Sequence, residues 1–244
     1  MSAAPRRTAS GARHSVRAWD GPTRLFKWAL VASVAIGYLT YQIGDAALTW
    51  HIWNGYAALI LVTFRILWGF AGSSTARFGA WITWPWSALA YGGALVTGRA
   101  RRYLGHNPLG GWMIVVLLLF VAAQAISGLF TVDSNGISGG PFANLDFGDP
   151  TPVQRTLSRW HHQGFYLFLG FAVVHVVVNL LYEGVKRDPL VRAMVTGRKP
   201  AADYADQPEM VPASHVWLRA LVCLVLAAAI VFGTVASFGG KLPF

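Results

Sequence analysis

The sequence predicts an all-α integral membrane protein, in which a bundle of four transmembrane helices is followed by a fifth transmembrane helix at the C-terminal end. Two observations predict this class. Hydrophobic residues make up 55% of the 244-residue chain and charged residues only 12%, whereas soluble domains carry about 25% charged residues. The hydrophobic residues are also gathered into five long runs, each close to the roughly 20 residues that a spanning helix needs.

Each of the five apolar runs is interpreted as one membrane span. They cover residues 25–43, 52–70, 111–132, 160–182 and 216–238. A sixth apolar stretch, residues 81–97, is shorter, contains Pro85 and is rich in Trp and Tyr. That composition predicts a helix lying in the membrane interface rather than a further span.

The runs divide the chain into four parts. Residues 1–20 are polar and basic, and we expect them to be a disordered N-terminal segment. Residues 21–199 contain the four spans of the bundle, residues 200–213 form a polar linker, and residues 214–244 hold the additional transmembrane helix and the C-terminus.

The formal net charge of +10 is unevenly distributed along the chain. If the spans alternate in direction, the basic segments 1–24, 77–102 and 186–199 all lie on one side of the membrane. Lys and Arg collect in cytoplasmic loops, so the N-terminus is predicted to be cytoplasmic and the C-terminus to lie outside. The basic charge is therefore a topology signal for a chain embedded in membrane lipid, and no nucleic-acid partner is predicted.

Two histidines on the fourth span, His161 and His175, are fourteen residues apart. Fourteen residues are almost four helical turns, so both imidazoles project from nearly the same face, roughly 21 Å apart along the axis. Because the hydrocarbon core is about 30 Å thick, one helix would place a ligand near each side of the membrane. The neighbouring His162 is rotated about 140° from His175 and fits this pattern poorly.

His51 begins the second span at the same predicted depth as His161. Two neutral imidazoles that face each other inside a helix bundle are typical of a bis-histidine haem site. The alternative for His51 and His161, which lie near span ends, is that they reach towards lipid headgroups. His175 is deeper in an apolar run, where an ionisable residue indicates a functional site; a core histidine bonded to Ser or Asn is the alternative there.

Several motifs between residues 17 and 199 resemble the membrane cytochrome b family that includes bacterial cytochrome b-561 and the haem-carrying subunits of nickel–iron hydrogenases and formate dehydrogenases. They are WDGPTRLFKW, HIWNGYAALILVTFRILWGFAG, RYLGHNPLGG, SGLF, WHHQGFYLFLGFAVVH and MVTGRK. The resemblance implies that His51, His161 and His175 are axial ligands of haem b. In the family the first motif ordinarily ends in His-Trp, and that histidine ligates the cytoplasmic-side haem; here Lys27 occupies the position.

The substitution leaves three alternatives for the inner haem. Deprotonated Lys27 could ligate the iron, since burial can depress the pKa of a lysine by several units. The haem could instead be held by His175 alone or with another ligand such as His106, or it could be absent. Arg65 lies fourteen residues after His51 on the same helix face, so Arg65 and Arg24 are candidate partners of a haem propionate.

The resemblance implies an electron-transfer subunit of an oxidoreductase complex in the bacterial inner membrane, with one haem b and room for a second. It implies a redox partner at the outer face, namely a dehydrogenase, hydrogenase or cytochrome c subunit, and quinone near the inner haem. Asp133, Asp146 and Asp149 in the outer loop are the candidate docking surface. The alternatives are an anchor or assembly subunit with one haem or none, and a transporter that uses the histidines to move protons.

Overall fold

The computed structural model describes residues 15–132, 139–143 and 151–242, and most of them are helical. The α-helices are α1 (Gly21–Ile43), α2 (Leu48–Ala71), α3 (Pro85–Val96), α4 (Pro108–Gly128), α5 (Pro152–Gly184), α6 (Leu190–Thr196) and α7 (Val216–Ser237). Two short strands, β1 (Ser15–Arg17) and β2 (Arg198–Pro200), are also present, which the all-α prediction did not include. Short 3-10 turns cover Gly44–Ala47, Ser74–Ala76 and Phe78–Ala80.

Four stretches of the described chain are long and apolar enough to cross a membrane. They are Gly21–Ala71, Pro108–Gly128, Pro152–Gly184 and Val216–Ser237. The first has 51 residues and contains both α1 and α2, which the turn at Gly44–Ala47 separates. Length and composition therefore support five spanning helices, while α3, with 12 residues, is too short to span.

α5 begins at Pro152, about two turns before the predicted start at residue 160. The reason is a capping box, in which the hydroxyl of Thr151 accepts from the Gln154 N–H (3.2 Å) and the Gln154 side chain accepts from the Thr151 N–H (2.9 Å). Reciprocal bonds of this kind satisfy N–H groups that the first helical turn leaves free. The apolar run marks only the membrane-embedded part of this helix.

The spanning helices pack in chain order, with α1 on α2, α2 on α4, and α4 on α5. α1 and α5 meet through ring contacts, including the stacked pair Tyr38 and Phe165 with centroids 5.9 Å apart. α7 lies outside this group and packs mainly on α2. Small residues of α7, Ala220, Cys223 and Ala227, are buried in that contact, which lets the two helices approach closely.

Strand β1 pairs antiparallel with β2, so that Val16 is opposite Lys199. The residues between β1 and α1 are buried, including Trp19 at 7% exposure. The expectation of a disordered segment that reaches residue 20 is therefore wrong for residues 15–20, because β2 supplies the backbone partner that a free terminus lacks. Residues 1–14, which include His14, lie outside the described part of the chain.

Residues 200–213 pack onto the end of the bundle that carries β1 and β2, which we call the basic end; the opposite end is the far end. Tyr204 and Met210 are buried there. The carboxylate of Asp206 accepts from the backbone N–H groups of Leu104 and Gly105 at 2.7 and 2.9 Å. The predicted linker is thus a fixed part of the basic end.

A buried ion pair completes the basic end. The ammonium of Lys199 lies 3.1 Å from the Asp188 carboxylate and donates to the Tyr103 carbonyl at 3.0 Å. Burial lowers the pKa of Lys199, and the charge of Asp188 opposes that shift. The pair joins the end of α5, strand β2 and the segment before α4 in one contact.

Candidate haem-binding site

A cavity lies between α1, α2, α4 and α5 in the far half of the bundle. Its volume is about 740 Å³ when the open solvent at its entrance is included. His51 and His161 both line it, on α2 and α5. The remaining lining is mainly apolar and aromatic and includes Phe165 and Phe168. The lining also includes the exposed side chains of Tyr38 on α1 and Tyr166 on α5.

The imidazoles of His51 and His161 face each other across this cavity. Their ring centroids are 6.0 Å apart and their planes are nearly perpendicular, at 89°. Two metal–imidazole bonds of about 2 Å, with about 1 Å from each nitrogen to its ring centre, also span about 6 Å. The separation therefore leaves room for one iron atom between the two rings, at the shared depth that the sequence indicates.

Hydrogen bonds fix which nitrogen of each ring is free. The Nδ1 of His161 lies 2.9 Å from the carbonyl of Gln124, and a carbonyl only accepts, so Nδ1–H is the donor. The Nδ1 of His51 lies 3.0 Å from Thr40 Oγ1. The single hydroxyl proton of Thr40 is donated to the Ile36 carbonyl at 2.7 Å, so the Thr40 oxygen accepts from His51. In both rings Nε2 is left with its lone pair, the form that binds a metal.

The side chain of Gln124 holds the same stretch of α5. With its amide oriented to satisfy both neighbours, it donates to the His161 carbonyl at 2.9 Å and accepts from the Phe165 N–H at 2.7 Å. Gln124 therefore contacts His161 through its own carbonyl and through its side chain. We identify Gln124 as a residue that positions His161 from α4.

Glycines make room around the two rings. A Cβ at Gly128 would lie 2.8 Å from Cε1 of His161, so no larger residue fits there without moving the imidazole. Gly55 lines the cavity, and a Cβ at that position would meet no atom within 4 Å. The far-half cavity thus combines paired imidazoles with space for a flat macrocycle, and its residues fit a haem.

The expected position of the inner haem, towards the basic end, is arranged differently from the far-half cavity. The Nε2 of His175 lies 3.0 Å from the amide nitrogen of Asn179, one turn further along α5. The Nζ of Lys27 lies 3.5 Å from the ring centroid of Trp19 and has no hydrogen-bond partner among the residues that the structure describes. The His106 ring lies close to both Trp19 and Trp81, with centroids 4.9 and 5.1 Å away.

Unpaired buried donors are gathered near these residues. They are Nε of Arg24, Nζ of Lys27 and Nη1 of Arg65, together with the unpaired Nδ1 of His106. Burial, with the charges of Lys27 and Arg65, holds the pKa of His106 well below its usual value, so this ring is neutral. Unpaired buried donors are costly, and an acceptor-rich anionic group such as a haem propionate would satisfy them.

The remaining residues considered from the sequence fall elsewhere. His162 is exposed and its ring contacts Tyr41 and His161, with centroids 5.9 and 5.8 Å away. His215 precedes α7 with a φ of 47°. Asp133, Asp146 and Asp149 lie outside the described residues.

The family model for prokaryotic cytochrome b561 matches residues 18–197, which include all three proposed histidine ligands and Lys27. The chain belongs to the prokaryotic cytochrome b561 family. As a member it is a multi-pass membrane cytochrome of the b type that transfers electrons, and the family implies haem b. The all-α bundle expected from the sequence is confirmed at this level.

Curated relatives of this cytochrome are similar along most of their length. A probable Ni/Fe-hydrogenase B-type cytochrome subunit of Azotobacter chroococcum mcd 1 is 25% identical, over 80% of this chain and 92% of the relative. Proteins of the same description from Azotobacter vinelandii and Rhodobacter capsulatus are 25% and 23% identical, over 80% and 78% of this chain and 92% and 84% of their own lengths. No solved structure gives a significant match.

Thr40, Gln124 and Trp19 are the residues that the sequence interpretation missed. Gln124 was open to detection, since it is a polar residue inside the apolar run WMIVVLLLFVAAQAISG and such residues are rarely without a role. Thr40 and Trp19 gave no comparable signal. Thr is common in membrane helices, and the contact between Trp19 and Lys27 depends on how the segment before α1 folds back.

Replacing Gly128 with Ala is expected to lower haem retention roughly tenfold or more, the usual cost of disturbing the residues that orient a metal ligand. The added methyl group would displace the His161 ring from its Gln124 bond. Haem per polypeptide, measured after purification, reports the loss. Gly233→Ala on α7 is the matched control, since a Cβ there meets no atom within 4 Å; equal haem content in both variants would contradict the assignment.

Proposed function

We propose that the protein relays single electrons between a redox partner at the far end and the quinone pool at the basic end, with haem b held by His51 and His161. The observation that carries this is the pair of imidazoles with centroids 6.0 Å apart, each with Nδ1 already bonded. Haem iron, when bound, supplies reversible one-electron chemistry. The protein orients both ligands and surrounds them with apolar side chains, and these factors set the reduction potential.

The partner is proposed from the relatives. They carry the description of Ni/Fe-hydrogenase B-type cytochrome subunits, so a hydrogenase is the first candidate, ahead of a dehydrogenase or a cytochrome c subunit. The docking surface at Asp133, Asp146 and Asp149 stays a prediction. The basic residues at one end support a cytoplasmic N-terminus in the inner membrane, which makes the far end periplasmic.

Three alternatives concern the inner haem: ligation by Lys27, a haem held by His175 alone or with another ligand, and no haem. The contact of Lys27 with Trp19 favours the second. An ammonium at Lys27 would lie over the face of Trp19 in a cation–π contact, and an ammonium cannot ligate iron. We therefore propose a second haem b held by His175 without a sixth protein ligand, which requires the amide of Asn179 to give up its contact with the Nε2 of His175. Arg24 and Arg65 have unpaired buried nitrogens that suit its propionates. We propose that quinone binds beside His106, whose Nδ1 has no hydrogen-bond partner among the described residues and would accept a hydrogen bond from a quinol or donate one to a quinone.

Reduction by a quinol tests the relay. Haem-loaded protein in liposomes is mixed with a short-chain quinol, and the reduced b-type absorption band is followed in time. We expect the band to appear and to be reoxidised by an acceptor added at the far side. His106→Phe should slow the quinol reaction and leave the haem content unchanged. A protein without a b-type band, or a band that quinol never reduces, would contradict the proposal.

Replacing Lys27 tests the inner site. Two haems per chain are expected, and half of the ferric haem should be high spin and able to bind carbon monoxide when reduced. Lys27→His should convert that half to low spin, whereas Lys27→Leu, which offers no ligating atom, should leave it high spin. If Lys27 is itself a ligand, the wild type will be low spin throughout and only Lys27→Leu will become high spin. One haem per chain in the wild type would show that the inner haem is absent.

A further inference from the structure

A second cavity lies at the basic end and is separate from the far-half cavity; its volume is about 610 Å³ when the open solvent at its entrance is included. It is enclosed by α3, the segment before α4, and the C-terminal end of α5. Its polar lining includes Tyr91, Arg101, Arg102, Asn107, Tyr182 and Lys186. None of these side chains takes part in the haem sites described above.

The charge of this basic-end cavity is positive and largely uncompensated. Among the residues that the structure describes, Arg102 and Lys186 form no ion pair, and the contact of Arg101 with Asp203 is long (3.6 Å) and exposed. The carboxylate in the lining, Asp188, is already bonded to Lys199 at 3.1 Å. An anion in the cavity would therefore meet three cationic groups and no free carboxylate of the lining.

Hydrogen bonds hold several of the residues that line the basic-end cavity in place. The Tyr91 hydroxyl lies 3.4 Å from the Arg101 carbonyl, to which it donates, and 3.4 Å from the Tyr182 hydroxyl. The Asn107 carbonyl oxygen accepts from the Gly110 N–H at 2.8 Å, which leaves its amide nitrogen as a donor. The Tyr91 contacts join α3 to α5 and to the segment before α4, and the Asn107 bond caps the start of α4, so the basic groups of the lining lie next to hydrogen-bonded backbone.

The surroundings of the cavity are those of a membrane interface. Trp84, just before α3, and Trp86, in α3, are exposed at 79% and 75%, as aromatic residues of interfacial helices are. α5 exposes Leu180 and Leu181 beside Tyr182. α3 and α5 both contribute to the lining of the cavity, so each offers exposed apolar side chains against which acyl chains can lie.

We propose that the basic-end cavity binds the phosphate of an anionic phospholipid, with Arg102 and Lys186 as its principal charges and Arg101 as a third. Basic pockets between membrane helices on the cytoplasmic side recognise such headgroups. The quinone alternative is weaker for this cavity, because a quinone carbonyl is neutral and does not need three cations. Free inorganic phosphate shares the charge but cannot use the exposed faces of α3 and α5.

Lipid binding to delipidated, haem-loaded protein tests the proposal. Phosphatidylglycerol, phosphatidylcholine and inorganic phosphate are titrated separately, and native mass spectrometry counts the bound lipid. The double variant Arg102→Gln/Lys186→Gln should bind phosphatidylglycerol roughly 30-fold more weakly, from about 1 kcal/mol per basic residue. The matched control, Arg155→Gln/Arg159→Gln, removes two exposed charges at the other end of α5 and should bind as the wild type does. An unchanged haem spectrum shows that each variant is folded.

The outcomes separate the possible ligands. The proposal is supported if Arg102→Gln/Lys186→Gln is the variant that loses phosphatidylglycerol binding, the control variant keeps it, and phosphatidylcholine binds weakly to every protein. Equal binding by both double variants, or equal binding of phosphatidylcholine and phosphatidylglycerol, overturns it. Phosphate that binds as tightly as the lipid would assign the cavity to a free anion, and a quinone analogue that displaces phosphatidylglycerol would assign it to quinone. If the double variant does not fold, Lys186→Glu replaces it and should lose the lipid.

Discussion

The carbonyl of Gln124 and the hydroxyl of Thr40 each accept the Nδ1 proton of one histidine, and the far-half cavity depends on these two bonds. They select one tautomer for His161 and one for His51, and they orient both rings before any iron is present. Such orientation is what a metal site requires of the residues behind its ligands. The bonds come from α1 and α4, so all four helices of the bundle contribute to a site whose proposed ligands lie on only two of them.

The two ends of the bundle differ in their electrostatics. At the far end, the two neutral rings are paired and the Nδ1 of each is hydrogen-bonded. At the basic end, cationic groups are gathered, and Nε of Arg24, Nζ of Lys27 and Nη1 of Arg65 have no hydrogen-bond partner among the described residues. Burying unpaired donors is unfavourable, so their concentration indicates ligands that bring acceptors and negative charge. The strands β1 and β2 and the ion pair of Lys199 with Asp188 hold this end together, because like charges alone would separate its segments.

The sequence predicted much of this arrangement because membrane proteins are strongly patterned. Apolar runs locate the spans, and a helical period of 3.6 residues places His161 and His175 on one face. Depth matching then pairs His161 with His51, and the structure brings those rings together. The prediction failed where contacts cross between distant segments. The capping box of α5, the pairing of β1 with β2 and the position of Trp19 over Lys27 all depend on tertiary or local hydrogen-bond geometry that hydropathy does not encode.

Low-temperature electron paramagnetic resonance of the oxidised protein tests whether His51 and His161 together ligate a haem. We expect a low-spin ferric signal of bis-imidazole type that is lost in His51→Ala and in His161→Ala and is retained in His162→Ala. A signal that survives the loss of either His51 or His161, or one that disappears with His162, would show that these two histidines are not the ligand pair.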